Sequence, residues 1–528
     1  MKSKKSLFFL LAGLLNVSLF FSSVSATNYY VSPTGTTSAA GTLAAPLAFS
    51  TAISKALVAG DSVFLRGGTY SFTSTQTISK SGSSAKNVFI GAYQNEIPVL
   101  DFRGQVYNSS SQGVKVSGNY IHFKGITVQG AGDNGIQVTG SYNRIELCVA
   151  RWNCDSGFQM KTGSDNYIIN CDSYENFDYE SMNSDGTPNY GGNADGFADK
   201  QYTNTGTNHY KGCRAWRNAD DGWDHYELIS NTTYDSCWCY ANGPASYDMK
   251  LHIRFKTDST AWFSKFKSAN FVMTNYGNGN GFKLGGNYTA HQATLHDCVS
   301  VLNTVKGFDQ NNNAGTMNVY NCIGYMNKPD YGFSNSSYGT LVIKNCASLS
   351  SKSSNSLSSK SVTQAYNSWN SGFSCAATDF LSVDYTQLLN ARQADGSLPE
   401  ISFLHQKSTS NMIDKGVNLG FSFSGTAPDL GAFEYKVATA VESVSSEAGI
   451  RIYPNPVADK VIVSMETVEA DKVVVSIFDT MGRQLIKQSA NEVSGQNEVN
   501  INTSMLAKGN YIIRVSGKNI NFSSKLIK

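Results

Sequence analysis

Charge is scarce in this chain of 528 residues: Asp, Glu, Lys and Arg make up 16% of it and leave a formal net charge of +2. That balance gives no reason to expect a nucleic-acid partner. Amphipathic helical periodicity is almost absent. Past the N-terminus no stretch is apolar enough to span a bilayer, so no transmembrane segment is expected. No cysteine follows the small residues Val24-Ser25-Ala26, which argues against a lipoprotein. Zinc and thioredoxin motifs are missing too, since Cys237 and Cys239 are separated by one residue rather than two.

What is present points to strands and turns. Glycine (47) and tyrosine (28) stand on a background rich in Ser, Asn and Thr. The length is too great for one compact core, so the chain has more than one domain or one elongated domain. Lys2, Lys4 and Lys5 precede an apolar run from Leu7 to Phe21 and the small residues at 24–26. This is the pattern of a signal peptide over 1–26, and it implies export.

A repeat organises the middle. Gly135, Gly157, Gly196, Gly222, Gly281, Gly307 and Gly332 each precede an apolar, usually aromatic, residue, at spacings of 22, 39, 26, 59, 26 and 25. Cys148, Cys171, Cys213, Cys237, Cys298, Cys322 and Cys346 follow these glycines by 13 to 17 residues. A unit of about two dozen residues built of short alternating strands cannot bury its own apolar face; stacking in register buries it. The expected fold is all-β: a right-handed parallel β-helix, with equivalent positions about 4.8 Å apart along the axis. The seven cysteines then form one interior column of free thiols, because parallel in-register side chains are poorly aimed for bridging. Cys154 and Cys375 fall outside it.

The ends fit this plan. Phe49, Ile53 and Leu57 mark a short amphipathic helix that caps the N-terminal end. Residues 349–361 read as a polar loop, and "APDLGAFEY" closes the helical region. The expected domains are a β-helix over 27–436, a linker over 437–449 and a small antiparallel β-sandwich over 450–528, where "KVIVS", "VVVSIFD" and "NYIIRVSG" alternate.

Stacking brings acidic residues together. Aligned on the glycines, Asp195 lies one coil below Asp221, while Asp220 and Asp224 flank the same turn. The next unit places Lys283 at the column position of Asp224, and Asp309 follows above it. Four carboxylates from adjacent coils need a cation, and oxygen-only ligands suit Ca²⁺; the lack of Cys or His in these columns argues against zinc.

The stretches "NADGFADK" (193–200), "RNADDGWDHYE" (217–227) and "NGFKLGG" (280–286) resemble the three signature stretches of family 9 polysaccharide lyases, the β-helical pectate lyases. The resemblance covers roughly 27–436. It implies that Asp195, Asp220, Asp221 and Asp224 bind one calcium and that Lys283 is the Brønsted base. It also implies an acidic pectic polysaccharide as partner, either galacturonan or the rhamnose–galacturonate backbone. Residues 244–271 form a stretch longer than the family pattern. Lys200 and Arg254 are singled out as partners for substrate carboxylates. "RIYPNPVADKVIVS" and the C-terminal "YIIRVSGKNINFSSKLIK" resemble type IX secretion sorting domains, which implies that secretion machinery as partner and a secreted or cell-surface protein. A monomer is expected. Two other readings remain open at this level: a β-helical glycoside hydrolase using paired aspartates, and a non-catalytic adhesin whose aspartates hold structural calcium.

Overall fold

A computed structural model describes residues 26–203, 205–243, 252–254, 277–436, 450–479, 483–517 and 521–528. Residues 1–25 of the proposed signal peptide, the linker over 437–449 and nearly all of 244–271 lie outside the described residues. The chain divides into two compact units, up to Tyr435 and from Lys436 onward.

The first unit is a solenoid of three parallel sheets. Sheet one has twelve strands, from Asn28–Thr36 to Ser361–Ala365; sheet two has ten, from Gln76–Ile78 to Ser356–Leu357; sheet three has ten, from Gly68–Ser71 to Ala347–Leu349. Each coil visits sheet one, then three, then two. The bend from one to three turns on a single residue of left-handed φ, coil after coil: Gly125, Leu147, Asn170, Gly212, Ser236, Asp297, Asn321 and Asn345. The very next residue is the interior Ile126 or a column cysteine. The bend out of sheet three is held by an asparagine ladder. Asn153, Asn176, Asn218, Asn242, Asn303 and Asn327 each accept or donate through their amides to the next coil, as in Asn218 Nδ2 to Asn242 Oδ1 at 3.0 Å and Asn242 Nδ2 to Asn303 Oδ1 at 3.0 Å. These amides are fully buried, so the ladder satisfies backbone N–H groups that no strand pairs.

Inside sheet two, one ring per coil stacks on the next. Phe158, Phe197, Trp223, Phe282, Phe308 and Tyr331 lie 4.7–5.2 Å apart, within 14° of parallel. Each such pair contributes about 0.5–1.5 kcal/mol beyond the area it buries. The column also corrects the sequence alignment. Tyr331, not Phe333, stacks on Phe308, so Gly332 lies over Asp309 and is not a member of the glycine column. The ring position overrides the Gly-aromatic pattern.

The N-terminal helix is Phe49–Ser54; Phe49, Ala52 and Ile53 are buried, and Leu57, also buried, lies beyond its end. The region 349–361 is not all loop: Ser356–Leu357 and the start of Ser361–Ala365 add another coil. Residues 427–435 end the unit on its flank. Leu430 packs with Val299, Ile323 and Ala347 of sheet three, under Phe380, Phe403 and Met412. The C-terminal unit is an antiparallel sheet of five strands, Arg451–Tyr453, Lys460–Phe478, Gln484–Asn502, Asn510–Ser516 and Asn521–Ile527. The register breaks between Thr467 and Asp471, and Val461 and Val463 from one half share a core with Val475 and Ile477 from the other, as a small sandwich requires.

All ten cysteines are free, and nine are buried, the seven of the column fully. A thiol reagent should therefore leave those nine unmodified in the native protein and titrate all ten after denaturation; rapid native labelling of Cys237 or Cys298 would contradict the packing.

Candidate active site

The glycine column sets the geometry. A β-carbon on Gly196, Gly222 or Gly281 would stand 2.5–2.6 Å from the carbonyl oxygen of the glycine one coil above. Only glycine permits that approach, and it locks Asp195 beneath Asp221 and Asp221 beneath Asn280. After each glycine the aromatic residue faces inward, so the following residue faces outward. Ala198, Asp224, Lys283 and Asp309 thus form one outward column in strict strand register.

Ligand oxygens of Asp195, Asp220 and Asp221 lie within 4.8 Å of one another, and all three residues are buried. Their remaining contacts are few and directed. Asp195 accepts from Ser156 Oγ at 3.1 Å and from the Asp221 N–H at 3.2 Å. Asp221 Oδ1 accepts from the Asn280 N–H at 2.7 Å and its side-chain amide at 2.9 Å. Asp220 accepts from the Asn278 N–H. Asp224 lies between two amines, with Lys200 Nζ at 3.0 Å and Lys283 Nζ at 3.1 Å. Lys283 Nζ is also 3.0 Å from Asp221 Oδ2, without hydrogen-bond alignment, so that oxygen is left buried without a hydrogen-bond partner. Lys200 reaches Asp195 at 3.4 Å.

Electrostatics divide the four carboxyls. Burial, opposed by Lys200 and reinforced by Asp224 and Asp221, pushes Asp195 up to about 8. Burial and the adjacent Asp221 raise Asp220 well above the usual carboxylate range. Asp221 is raised as well, mainly by burial, despite Lys283 beside it. Asp224 overcomes its burial through Lys283 and Lys200 and falls to about 2. Three crowded carboxyls that favour protons, one with an oxygen that no aligned hydrogen bond satisfies, fit a hard, oxygen-seeking divalent cation. The donor set contains no sulfur or nitrogen.

The other candidates separate from this cluster. Arg254 gives its guanidinium to the carbonyl oxygens of Gly130 (3.0 Å), Gln105 (2.8 Å) and Phe102 (3.4 Å) and to the Tyr179 hydroxyl (3.3 Å). None of these partners belongs to the acidic cluster, and the arginine holds residues 252–254 against the early coils. Arg214 clamps Asp172 on the flank. His225 is fully buried, bonded to His291 and Tyr234. Asp309 accepts from Lys306 Nζ at 2.8 Å, so it orients Lys306, with no bond to Lys283 among the described contacts. Sequence reasoning missed Ser156 and Asn280 as ligands to the aspartates. Both occupy the column one place before the glycine, where the signal was available.

Residues 29–355 match the family model described as Pel9A-like, right-handed beta helix region, and residues 451–528 match the secretion system C-terminal sorting domain. The chain is 36% identical to a pectate lyase L of Dickeya dadantii over 417 residues, which is 77% of this chain and 90% of that protein. It is 29% identical to pectate lyase PEL9 of Emericella nidulans, covering 73% and 93%. Among solved structures, pectate lyase Pel9A superposes with a TM-score of 0.65 at 34% identity, covering 78% of this chain and 98% of that one. A rhamnogalacturonan lyase shares the fold, with a TM-score of 0.61 at 22% identity, covering 72% and 97%. The β-helix, its outward acidic and basic column and these matches together place the chain in the Pel9A-like right-handed β-helix family, the family 9 polysaccharide lyases, with a C-terminal sorting domain that marks it as secreted or cell-surface.

Proposed function

We propose that the protein cleaves 4-linked galacturonate in pectin, in homogalacturonan or the rhamnogalacturonan I backbone, by calcium-dependent β-elimination with Lys283 as base. One observation carries this: the Lys283 amine, nine-tenths buried and the more buried of the two amines at the cluster, stands 3.0–3.1 Å from two carboxylates of an acidic site on the outward face of a β-helix. The names of the pectate lyase relatives supply the substrate class.

The chemistry asks for a base at C5. Lys283, neutral, removes the C5 proton. The C5–H electron pair becomes the C4–C5 double bond, and the bond from C4 to the glycosidic oxygen breaks. That oxygen leaves with its electron pair and takes a proton from solvent. Asp195, Asp220, Asp221 and Asp224 would hold calcium; when bound, the ion withdraws charge from the substrate carboxylate next to C5 as a Lewis acid. Lys200, fixed by Asp195 and Asp224 yet partly exposed, is placed to pair with a sugar carboxylate. A glycoside hydrolase would separate its acid and base by at least about 5 Å. Here the ligand oxygens of Asp195, Asp220 and Asp221 lie within 4.8 Å of one another, closer than that separation.

The base must be neutral to act, and its surroundings oppose that. Burial disfavours charge on Lys283, but Asp221, Asp224, Asp220 and Asp195 outweigh burial and hold its pKa well above the ordinary lysine value. The rate of forming the unsaturated, ultraviolet-absorbing product from polygalacturonate should therefore climb with pH through the alkaline range and vanish with a chelator. Lys283→Met should lower kcat by about 10²- to 10⁴-fold. A rate independent of pH from neutral to alkaline would remove Lys283 from the role. New reducing ends without the unsaturated product would favour hydrolysis, and neither signal would favour an adhesin.

The acidic cluster has a second consequence. With its pKa raised from 3.8 to about 8, Asp195 is protonated in the folded chain where it would be ionised unfolded. The folded state therefore binds more protons across that window, and stability falls as pH rises through it. In chelator the melting temperature should drop between these pH values, while calcium should raise it by an amount that grows with pH. An equal calcium effect at both ends of the window would mean that the cluster does not hold the ion.

A further inference from the structure

Tyrosines recur at the bends that carry the chain from sheet two to sheet one. Tyr202 follows Phe197–Asp199, Tyr226 follows Trp223–Asp224, Tyr288 follows Phe282–Lys283, and Tyr338 follows Tyr331–Phe333. All four are exposed, by 42–53%, although large aromatic side chains in this unit are mostly buried. Tyr202, Tyr226 and Tyr288 belong to three successive coils, about 4.8 Å apart, beside the Ala198–Asp224–Lys283–Asp309 column, while Tyr338 starts two coils further on and its ring closes toward Tyr288.

The row borders the reacting groups. The N–H of Tyr226 donates to Asp224 Oδ1 at 3.1 Å. Its ring lies over the next coil, where a β-carbon on Gly286 would stand 2.7 Å from the ring. Gly286 is three residues beyond Lys283, so the Tyr226 ring covers the coil that carries the amine. The Tyr202 hydroxyl lies in the field of Lys200, Glu227 and Asp224. Tyr288 and Tyr338 meet at 5.0 Å between ring centroids.

The bends are also braced. Asn287 Nδ2 donates to Glu227 Oε1 at 2.7 Å, Asn311 Nδ2 to the Gly285 carbonyl at 2.8 Å, Asn335 Nδ2 to Asn312 Oδ1 at 2.7 Å, and Gln310 Nε2 to the Tyr338 carbonyl at 3.0 Å. Asn287 and Tyr288 hold left-handed φ values of +49° and +62°. A bulky residue there is costly, and such strain persists where the surroundings fix it for a use.

We propose that Tyr202, Tyr226, Tyr288 and Tyr338 form one wall of the cleft, on which successive sugar rings of an acidic polysaccharide stack while the chain lies along the helix axis past Lys283. This deepens the galacturonan reading above and rests on it. The rings supply apolar faces for the C–H faces of the sugars, and Lys200 on the floor attracts a carboxylate. The wall holds substrate before and during reaction alike, so it governs binding rather than the chemical step.

The test reads binding apart from turnover. Calorimetric titration of a galacturonate hexamer into the calcium-loaded full chain carrying Lys283→Met gives Kd directly. Adding Tyr226→Ala should weaken it by about 3- to 10-fold, whereas Tyr226→Phe should stay within about 2-fold. In the active chain Tyr226→Ala should raise KM for polygalacturonate with kcat nearly unchanged. The pair Tyr288→Ala and Tyr338→Ala should weaken the hexamer and leave a trimer unaffected. An unchanged Kd in the alanine variants, a phenylalanine variant as weak as alanine, or no hexamer binding at all would overturn the wall. Hexamer binding that obeys these patterns without any unsaturated product from the active chain would leave the wall standing and remove the elimination.

Discussion

Everything in the first unit depends on one constraint: the backbone ladder that ties each coil to the next allows no vertical slip. A parallel strand shifted by one residue would turn its outward column inward. In this chain such a slip would drive Asp224 and Lys283 into the lumen and expose Trp223 and Phe282. The stacked rings resist it, since each is fully buried against two neighbours. The glycines remove the one obstacle to close approach, and the buried asparagine amides satisfy the bends. Core packing and site geometry are therefore the same fact seen from two sides of sheet two.

That rigidity lets the protein keep charges where water would otherwise be needed. Burying an ionised group costs several kcal/mol unless it is paired and hydrogen-bonded. Lys200 and Lys283 compensate Asp224 and hold it ionised, but they do not compensate Asp195, Asp220 and Asp221 together. The imbalance is the informative part. A site meant only for stability would match each acid with a base. A surplus of carboxyl oxygens over amines leaves attraction available for a cation, and the same surplus makes Lys283 a strong proton holder until that charge is taken up.

Sequence alone exposed much of this, because a solenoid turns spacing along the chain into stacking in space. The glycine and cysteine marks gave the coil length, and aligning them put Lys283 over Asp224 and Asp309 over Lys283, the partners found in the strand register. Spacing misled where a coil departs from the pattern: Gly332 lies two places past the glycine position because Tyr331 took the ring position. It also failed where a side chain's destination depends on what folds over it. Nothing in the spacing of Arg254 tells that its guanidinium ends on the carbonyls of Phe102, Gln105 and Gly130, some 124 to 152 residues away. Nor does the sequence show the tyrosine row, since the bends that carry it differ in length and only the fold aligns them.

Floor and wall of the cleft answer to different demands. In the elimination proposed above the floor would change its interactions, for Lys283 would gain a proton and charge would move onto a sugar carboxylate. Its groups are accordingly buried, coupled and shifted in opposite directions. The tyrosine wall gains nothing from such sensitivity, because a stacked sugar meets the same ring before and after proton transfer. It gains from stiffness, and the amide braces between Asn287 and Glu227 and between Asn335 and Asn312 supply that. The proposed wall would therefore act on affinity, equally before and during proton transfer, and leave the rate of the chemical step to the floor.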